Sequence, residues 1–309
     1  MQAAIEVVKR YFGYDTLRPL QEEAIRAGLS GRDSLVVLPT GGGKSLCFQV
    51  PPVVAGRLDI VVSPLISLMK DQVDALLQCG YPAAALHSNQ TAAERAAAVR
   101  AVESGACRLL YVSPERLATE EFLTWLGNVS PGAFAVDEAH CISHWGHDFR
   151  PEYRRLRVLR ERFPGVTLHA FTATATPRVR EDIVAELGLR EPEVLVGRFD
   201  RENLIYRVLP KADVARQVRE VLSRHAGEAA IVYCLSRQDT MDLAASLAAA
   251  GVRAVPYHAG LAAGARRAAQ DDFAAERADV IVATVAFGMG IDKSDVRCVI
   301  HASIPKSIE

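Results

Sequence analysis

The stretch "SLVVLPTGGGKSLCF", residues 34 to 48, decides the fold. A valine-rich apolar run ends at Leu38 and Pro39, three glycines follow, and Lys44 and Ser45 open a segment of helical composition. Strand, glycine loop and helix in this order let backbone N–H groups at a helix N-terminus face a phosphate. Gly41, Gly42 and Gly43 admit close approach of the backbone, Lys44 can reach β- and γ-phosphates, and the Ser45 hydroxyl can ligate Mg²⁺. The strict spacing G-x-x-x-x-G-K-S/T needs a glycine where this chain has Leu38. On its own, therefore, the stretch also suits a surface turn carrying a solvated lysine.

A second feature weighs against that reading. Asp137 and Glu138 end a later apolar run, "AFAVD" at 133 to 137. There Asp137 can hold the Mg²⁺ shell and Glu138 can orient or deprotonate a water that attacks the γ-phosphate. Alone, an Asp-Glu pair is equally a helix N-cap with a first-turn acid. Both motifs at strand ends point to ATP with Mg²⁺.

Outward from these motifs, short β-branched runs at 34 to 38, 59 to 63, 108 to 113, 133 to 137 and 167 to 172 alternate with Ala/Leu/Arg-rich helical stretches. Continuous apolar strands separated by helices predict a parallel sheet covered on both faces. After the charged stretch at 196 to 208 the alternation restarts with "AAIVYCLS", "RAVPYHA", "DVIVATVAF" and "RCVIHAS". The expectation is an α/β chain of two doubly wound domains, residues 1–197 and 198–309, with ligands at the carboxyl ends of the strands. The Ala-rich segments "TAAERAAAVRAVES" and "MDLAASLAAAG" read as helices.

The 309 residues are 50% hydrophobic and 24% charged, the balance of a globular α/β protein rather than a disordered one. Thirty-six Lys and Arg against 37 Asp and Glu provide no global basic field, so a polyanion must be held by a local cleft. The six cysteines are scattered without a C-x-x-C pair, which disfavours a zinc ribbon or a disulfide framework and suits a reducing cytoplasm. No apolar run approaches the length of a membrane span, and the N-terminus lacks the pattern of a secretory signal.

Beside the acidic pair, "HCISHWGHDFRPEY" at 140 to 153 crowds Trp145, Phe149, Tyr153 and Arg150 into a stretch too polar for a core. Bases stack on Trp145 or Phe149 whatever their identity, and Arg150 can take a phosphate or a base face. Packing of the two rings onto the domain surface is the plain alternative. A metal site at Cys141, His144 and His147 lacks a fourth ligand and normal spacing.

With "GGGKS", "DEAH" and the segments between them, the chain resembles the superfamily 2 helicases, and closely the RecQ family of DNA helicases, over nearly its whole length. In that family the loop reads P-T-G-G-G-K-S, as here, so Leu38 is no anomaly and Thr40 joins the nucleotide-binding set. "FGYDTLRPLQEEAI" looks like the family's adenine-recognition motif, which implies Tyr14 stacking on the base with Arg18 and Gln21 making polar contacts to it. "SPLISLMKDQ", beginning at Ser63, and "YVSPERL" resemble motifs along the DNA track, and "FTATATP" resembles the motif linking that track to the nucleotide. "YCLSRQDT", "YHAGL" and "VATVAFGMGIDKSDVR" look like later motifs; the resemblance implies DNA contacts at Ser236, Arg237, His258 and Thr284, and nucleotide contacts at Gly290 and Asp292. It implies too that the aromatic loop senses single-stranded DNA and reports to the ATP site through Glu138 and His140, which joins the catalytic set.

The implied protein has two RecA-like domains, the second incomplete at its C-terminus. It is a monomeric, cytoplasmic or nucleoid-associated ATP-dependent helicase acting 3′ to 5′ on single-stranded and partially duplex DNA in repair and recombination, with no membrane association. An RNA helicase and a silent nucleic-acid-binding fragment are the alternatives. The family's arginine-bearing motif would follow "IPKSIE", and the sequence ends at Glu309, so low turnover is expected of the chain as it stands. Leu235, Ser294 and Ser303 stand where the family often has Asn, Pro and Asp.

Overall fold

The computed structural model describes residues 1–146, 148–198, 203–287, 293 and 295–304. The chain forms two compact units, Met1–Asn203 and Leu204–Glu309.

In the first unit seven parallel strands lie in the order β3-β4-β2-β5-β6-β1-β7. They are β1 (Ser34–Val37), β2 (Asp59–Val62), β3 (Ala83–Leu86), β4 (Leu109–Val112), β5 (Ala133–Val136), β6 (Thr167–Thr172) and β7 (Glu193–Val196). Every residue of β1, β2, β4 and β5 is buried, because helices cover both faces and leave no side for polar residues. One face packs Leu35, Ile60, Leu110 and Phe134; the other packs Val36, Val61, Tyr111 and Phe48. Helices α1 (Gln2–Phe12), α2 (Gln21–Ser30), α3 (Lys44–Ala55), α4 (Ile66–Gln78) and α5 (Ala92–Glu103) belong to this unit.

Two strands escape the sequence pattern. "AAAL" in β3 has alanine's helical preference, and becomes a strand through its parallel ladder with β4. "EVLV" in β7 alternates half-buried and exposed residues as an edge strand paired to β1. The Ala-rich α5 is a helix as expected, closed at its start by a capping box between Thr91 and Glu94.

Strand order is what assembles the site. β6 lies between β1 and β5, with Val37 opposite Thr172 and Val136 opposite Ala170. The loops after β1, β5 and β6 therefore leave the same sheet edge within two strand spacings of roughly 5 Å each.

The second unit carries four parallel strands in the order β11-β8-β10-β9: β8 (Ala229–Tyr233), β9 (Ala254–Tyr257), β10 (Val280–Ala283) and β11 (Val296–His301). Its cores gather Val218, Val232 and Leu247 on one face and Tyr257, Phe273 and Ile281 on the other. The second Ala-rich segment forms the helix Arg237–Ala249.

Candidate nucleotide site and aromatic loop

After β1 the chain turns through Gly41 (φ 77°) and Gly43 (φ 79°), both left-handed, and Gly43 is the N-cap of α3. A Cβ on Gly43 would lie 2.2 Å from Gln21 Nε2, and one on Gly42 would lie 2.8 Å from the Pro39 carbonyl oxygen. Only glycine fits there. Gln21, 1% exposed, donates from Nε2 to the carbonyl of Gly43 at 3.0 Å, while its Oε1 accepts from Arg18 N–H at 2.7 Å. The Arg18 guanidinium donates to the Gly41 carbonyl. Both side chains expected at a base thus hold the phosphate loop by its carbonyls, while the Gly42 N–H closes the turn on the Pro39 carbonyl at 2.8 Å. Tyr14 is exposed nearby in sequence, and Thr40 is exposed on the loop. Lys44 Nζ lies 3.4 Å from the Leu38 carbonyl oxygen.

Asp137 follows β5 and is nearly buried. Burial and the neighbouring Glu138 carboxylate raise its pKa well above the usual carboxylate range, and the Lys44 ammonium opposes them. A desolvated carboxylate of this kind gains from a cation. Asp137 and the Ser45 hydroxyl are oxygen donors of the kind that Mg²⁺ takes, and that ion usually needs few protein ligands. Among the described residues no group of three or more His, Cys, Asp or Glu is placed to hold a metal ion, and His147 of the Cys141, His144 and His147 set lies outside them.

Glu138 adopts φ 48°, ψ 45°, a left-handed conformation rare for glutamate. The turn is held by the Glu138 N–H donating to Asp137 Oδ1 at 3.0 Å. His140 Nδ1 lies 2.9 Å from Thr172 Oγ1 and 3.3 Å from Glu138 Oε2. The acidic pair is thereby joined to the "FTATATP" segment after β6.

The aromatic loop is tied to the same place. Tyr153 donates its hydroxyl to the Asp137 carbonyl at 2.9 Å, and Arg150 N–H donates to the Cys141 carbonyl at 2.8 Å. The Arg150 guanidinium pairs with Asp148 and donates to the Pro64 carbonyl at 3.0 Å, so it braces the loop against the segment after β2. Phe149 is half-buried, its ring 3.8 Å from that of His144 and under the Arg154 guanidinium. Trp145 is 57% exposed. Ser63, expected on the DNA track, is fully buried, and its hydroxyl has no access to a strand in this conformation.

In the second unit the expected contacts cluster at the carboxyl ends of three strands. Ser236 caps the helix after β8, accepting from Asp239 N–H. A Cβ on Gly260 would lie 2.9 Å from Arg237 Nη1 and 3.2 Å from His258 Nδ1, so both flank this glycine after β9. Thr284 follows β10, its N–H donating to the Tyr257 carbonyl. Gly290, Asp292 and Ser294 lie outside the described residues.

Sequence reasoning passed over Thr172, the partner of His140, and the side chains that grip the aromatic loop from the helix Pro177–Leu187. The threonine-rich motif was the available signal, but strand order alone selects which threonine meets His140.

In the first unit a phosphate loop and an acidic pair end strands on either side of β6, and the second unit carries a parallel sheet of its own. The DEAD/DEAH box helicase family matches residues 18–183 and the helicase conserved C-terminal domain matches residues 213–309, and the chain belongs to this family. Over 308 residues it is 46% identical to the ATP-dependent DNA helicase RecQ of Pasteurella multocida (strain Pm70), covering 100% of this chain and 49% of the relative. Over 311 residues it is 43% identical to the ATP-dependent DNA helicase RecQ of Bacillus subtilis (strain 168), covering 100% of this chain and 53% of the relative. Within the superfamily it is thus a RecQ-family core, and the chain spans about half the length of these relatives. Dbp5 of S. cerevisiae, solved with RNA and ADP BeF3, shares the RecA-like fold with TM-score 0.70 at 15% identity, covering 99% of this chain and 79% of that one.

Proposed function

We propose that this chain is the motor core of an ATP-dependent DNA helicase that couples ATP hydrolysis to 3′-to-5′ movement on single-stranded DNA and to duplex unwinding. The observation that carries the coupling is the hydrogen bond from the Tyr153 hydroxyl to the Asp137 carbonyl, which ties the aromatic loop to the acidic pair.

The loop N–H groups and Lys44 bind the β- and γ-phosphates, and Tyr14 stacks on the adenine. Ser45 and Asp137 would hold Mg²⁺, which supplies charge neutralisation at the phosphates. Glu138 accepts the proton of the attacking water as the bond between the β-phosphate oxygen and the γ-phosphorus breaks, leaving ADP and phosphate. His140, held by Thr172, keeps Glu138 oriented. Bases stack on Trp145 and Phe149, and Ser236, Arg237, His258 and Thr284 contact the strand from the second unit. Gly290 and Asp292 complete the nucleotide set. Every side chain assigned to ATP comes from one chain, so a monomer suffices. Six free thiols suit a reducing cytoplasm, and no helix among the described residues is long and apolar enough to cross a membrane.

The test is phosphate release with and without oligothymidylate. DNA should stimulate the wild-type chain, and Trp145→Ala should keep the DNA-free rate while losing the stimulation. A wild-type rate indifferent to DNA would remove the coupling and this function with it.

A further inference from the structure

The helix Pro177–Leu187 grips the aromatic loop at two points one turn apart. The Arg178 guanidinium carbon sits 3.4 Å from the centroid of the Trp145 ring. Asp182 accepts a hydrogen bond from the Ser143 hydroxyl at 2.7 Å, and the same hydroxyl oxygen accepts from the Trp145 N–H at 3.1 Å. Among the described residues no carboxylate lies within ion-pair distance of Arg178, so its charge faces the indole. A planar guanidinium at that spacing covers one face of the ring, yet Trp145 remains 57% exposed. The face turned from Arg178 is left to solvent.

A tryptophan on a polar loop ordinarily samples several rotamers, and a base stacking on it must first fix one. Backing one face with a cation fixes the ring in advance and leaves the other face open. We propose that Arg178 is a positioning residue that backs Trp145, holding its free face as a ready platform for an unpaired base. Asp182, through Ser143, fixes the loop backbone beneath the ring. Resting on the DNA-coupled reading above, the proposal deepens it, since the gripping helix begins just after the segment that carries Thr172, the partner of His140. Ring placement and the hydrolytic pair are then held by one continuous stretch, residues 172 to 182.

The test uses the full 309-residue chain with a short oligothymidylate as probe. Arg178 is exposed on the helix, so Arg178→Ala leaves the core intact. It should weaken oligothymidylate binding on the order of threefold to tenfold, the range of a cation–π contact converted to affinity. In a Trp125→Phe background, where Trp145 is the sole tryptophan, acrylamide should quench DNA-free Arg178→Ala more readily than the parent. Because Arg178 acts through the ring, the loss should vanish in a Trp145→Ala background, and the slope of log affinity against log salt should be unchanged. Unaltered affinity in Arg178→Ala, with Trp145→Ala clearly weakened, overturns the proposal while sparing the DNA reading. A loss that persists without Trp145, or a shallower salt slope, makes Arg178 a direct phosphate contact and also overturns it. Equal binding by Trp145→Ala and wild type would bring down the DNA platform itself.

Discussion

At the scale of single residues, Glu138 and Gly43 show how backbone geometry places chemistry. Glu138 sits in the left-handed region, where a non-glycine residue costs on the order of 1–2 kcal/mol, and its carboxylate lies 3.3 Å from His140 Nδ1. Glu138→Gln should keep ATP affinity within a few fold while lowering hydrolysis at least ~100-fold, because the amide can orient water but cannot take its proton. Equilibrium binding of a fluorescent ATP analogue beside single-turnover hydrolysis checks this; parallel loss of both would make Glu138 structural. Gly43→Ala places a methyl against Gln21 at a positive φ, so a stability loss of about 1–2 kcal/mol and weaker ATP binding are expected by urea titration and nucleotide binding.

His169 gives a pH dependence at the same scale. It is buried between Ser34 Oγ at 2.9 Å and Thr167 Oγ1 at 3.2 Å, and burial lowers its pKa from 6.5 to about 4. The unfolded chain thus takes up this proton first as pH falls. The stabilising contribution is complete above pH 6.5 and is lost as pH falls towards 4, on the order of 3 kcal/mol in all. Thermal unfolding between pH 7 and 4 should show this decline, and His169→Gln should flatten it.

At the scale of elements, β6 is the hinge of the site, since its neighbours β1 and β5 carry the phosphate loop and the acidic pair. The short helix Pro151–Arg154 plays the matching part for the aromatic loop, because Tyr153 on it reaches the Asp137 carbonyl. Tyr153→Phe keeps the buried ring and deletes only that bond. Its expected effect is a stability loss of about 1 kcal/mol, a DNA-free hydrolysis rate near the parent's, and DNA stimulation reduced several-fold. Steady-state hydrolysis across an oligothymidylate titration measures it; full stimulation would mean that coupling runs by another route, such as Arg150 to the Pro64 carbonyl. β3 and β7 belong to this scale too. Neither "AAAL" nor "EVLV" announces itself by composition, and each exists because a neighbouring strand offers a parallel ladder.

At the scale of the whole molecule, the net charge of −1 means that attraction to a polyanion is local. If two or three phosphates are neutralised in that local site, affinity for single-stranded DNA should fall roughly tenfold between 50 and 200 mM salt. A fluorescence-anisotropy titration over that range checks it, and a drop beyond about a thousandfold would require many more contacts than a nearly neutral chain supplies.

The sequence by itself determined the alternation of buried strands and helices, the glycine loop with Lys44 and Ser45, the acidic pair, and the aromatic loop beside it. These are local signals, written in side-chain type and short spacing. What only the tertiary structure decided is which groups meet. Arg18 and Gln21 hold the phosphate loop, Thr172 meets His140, Ser63 is buried, and Arg178 lies over Trp145. Each of those contacts joins segments far apart in the chain, and strand order with helix placement brings them together. Strand order follows from how all the ladders and both sheet faces are satisfied at once, a global balance that no short stretch of sequence contains.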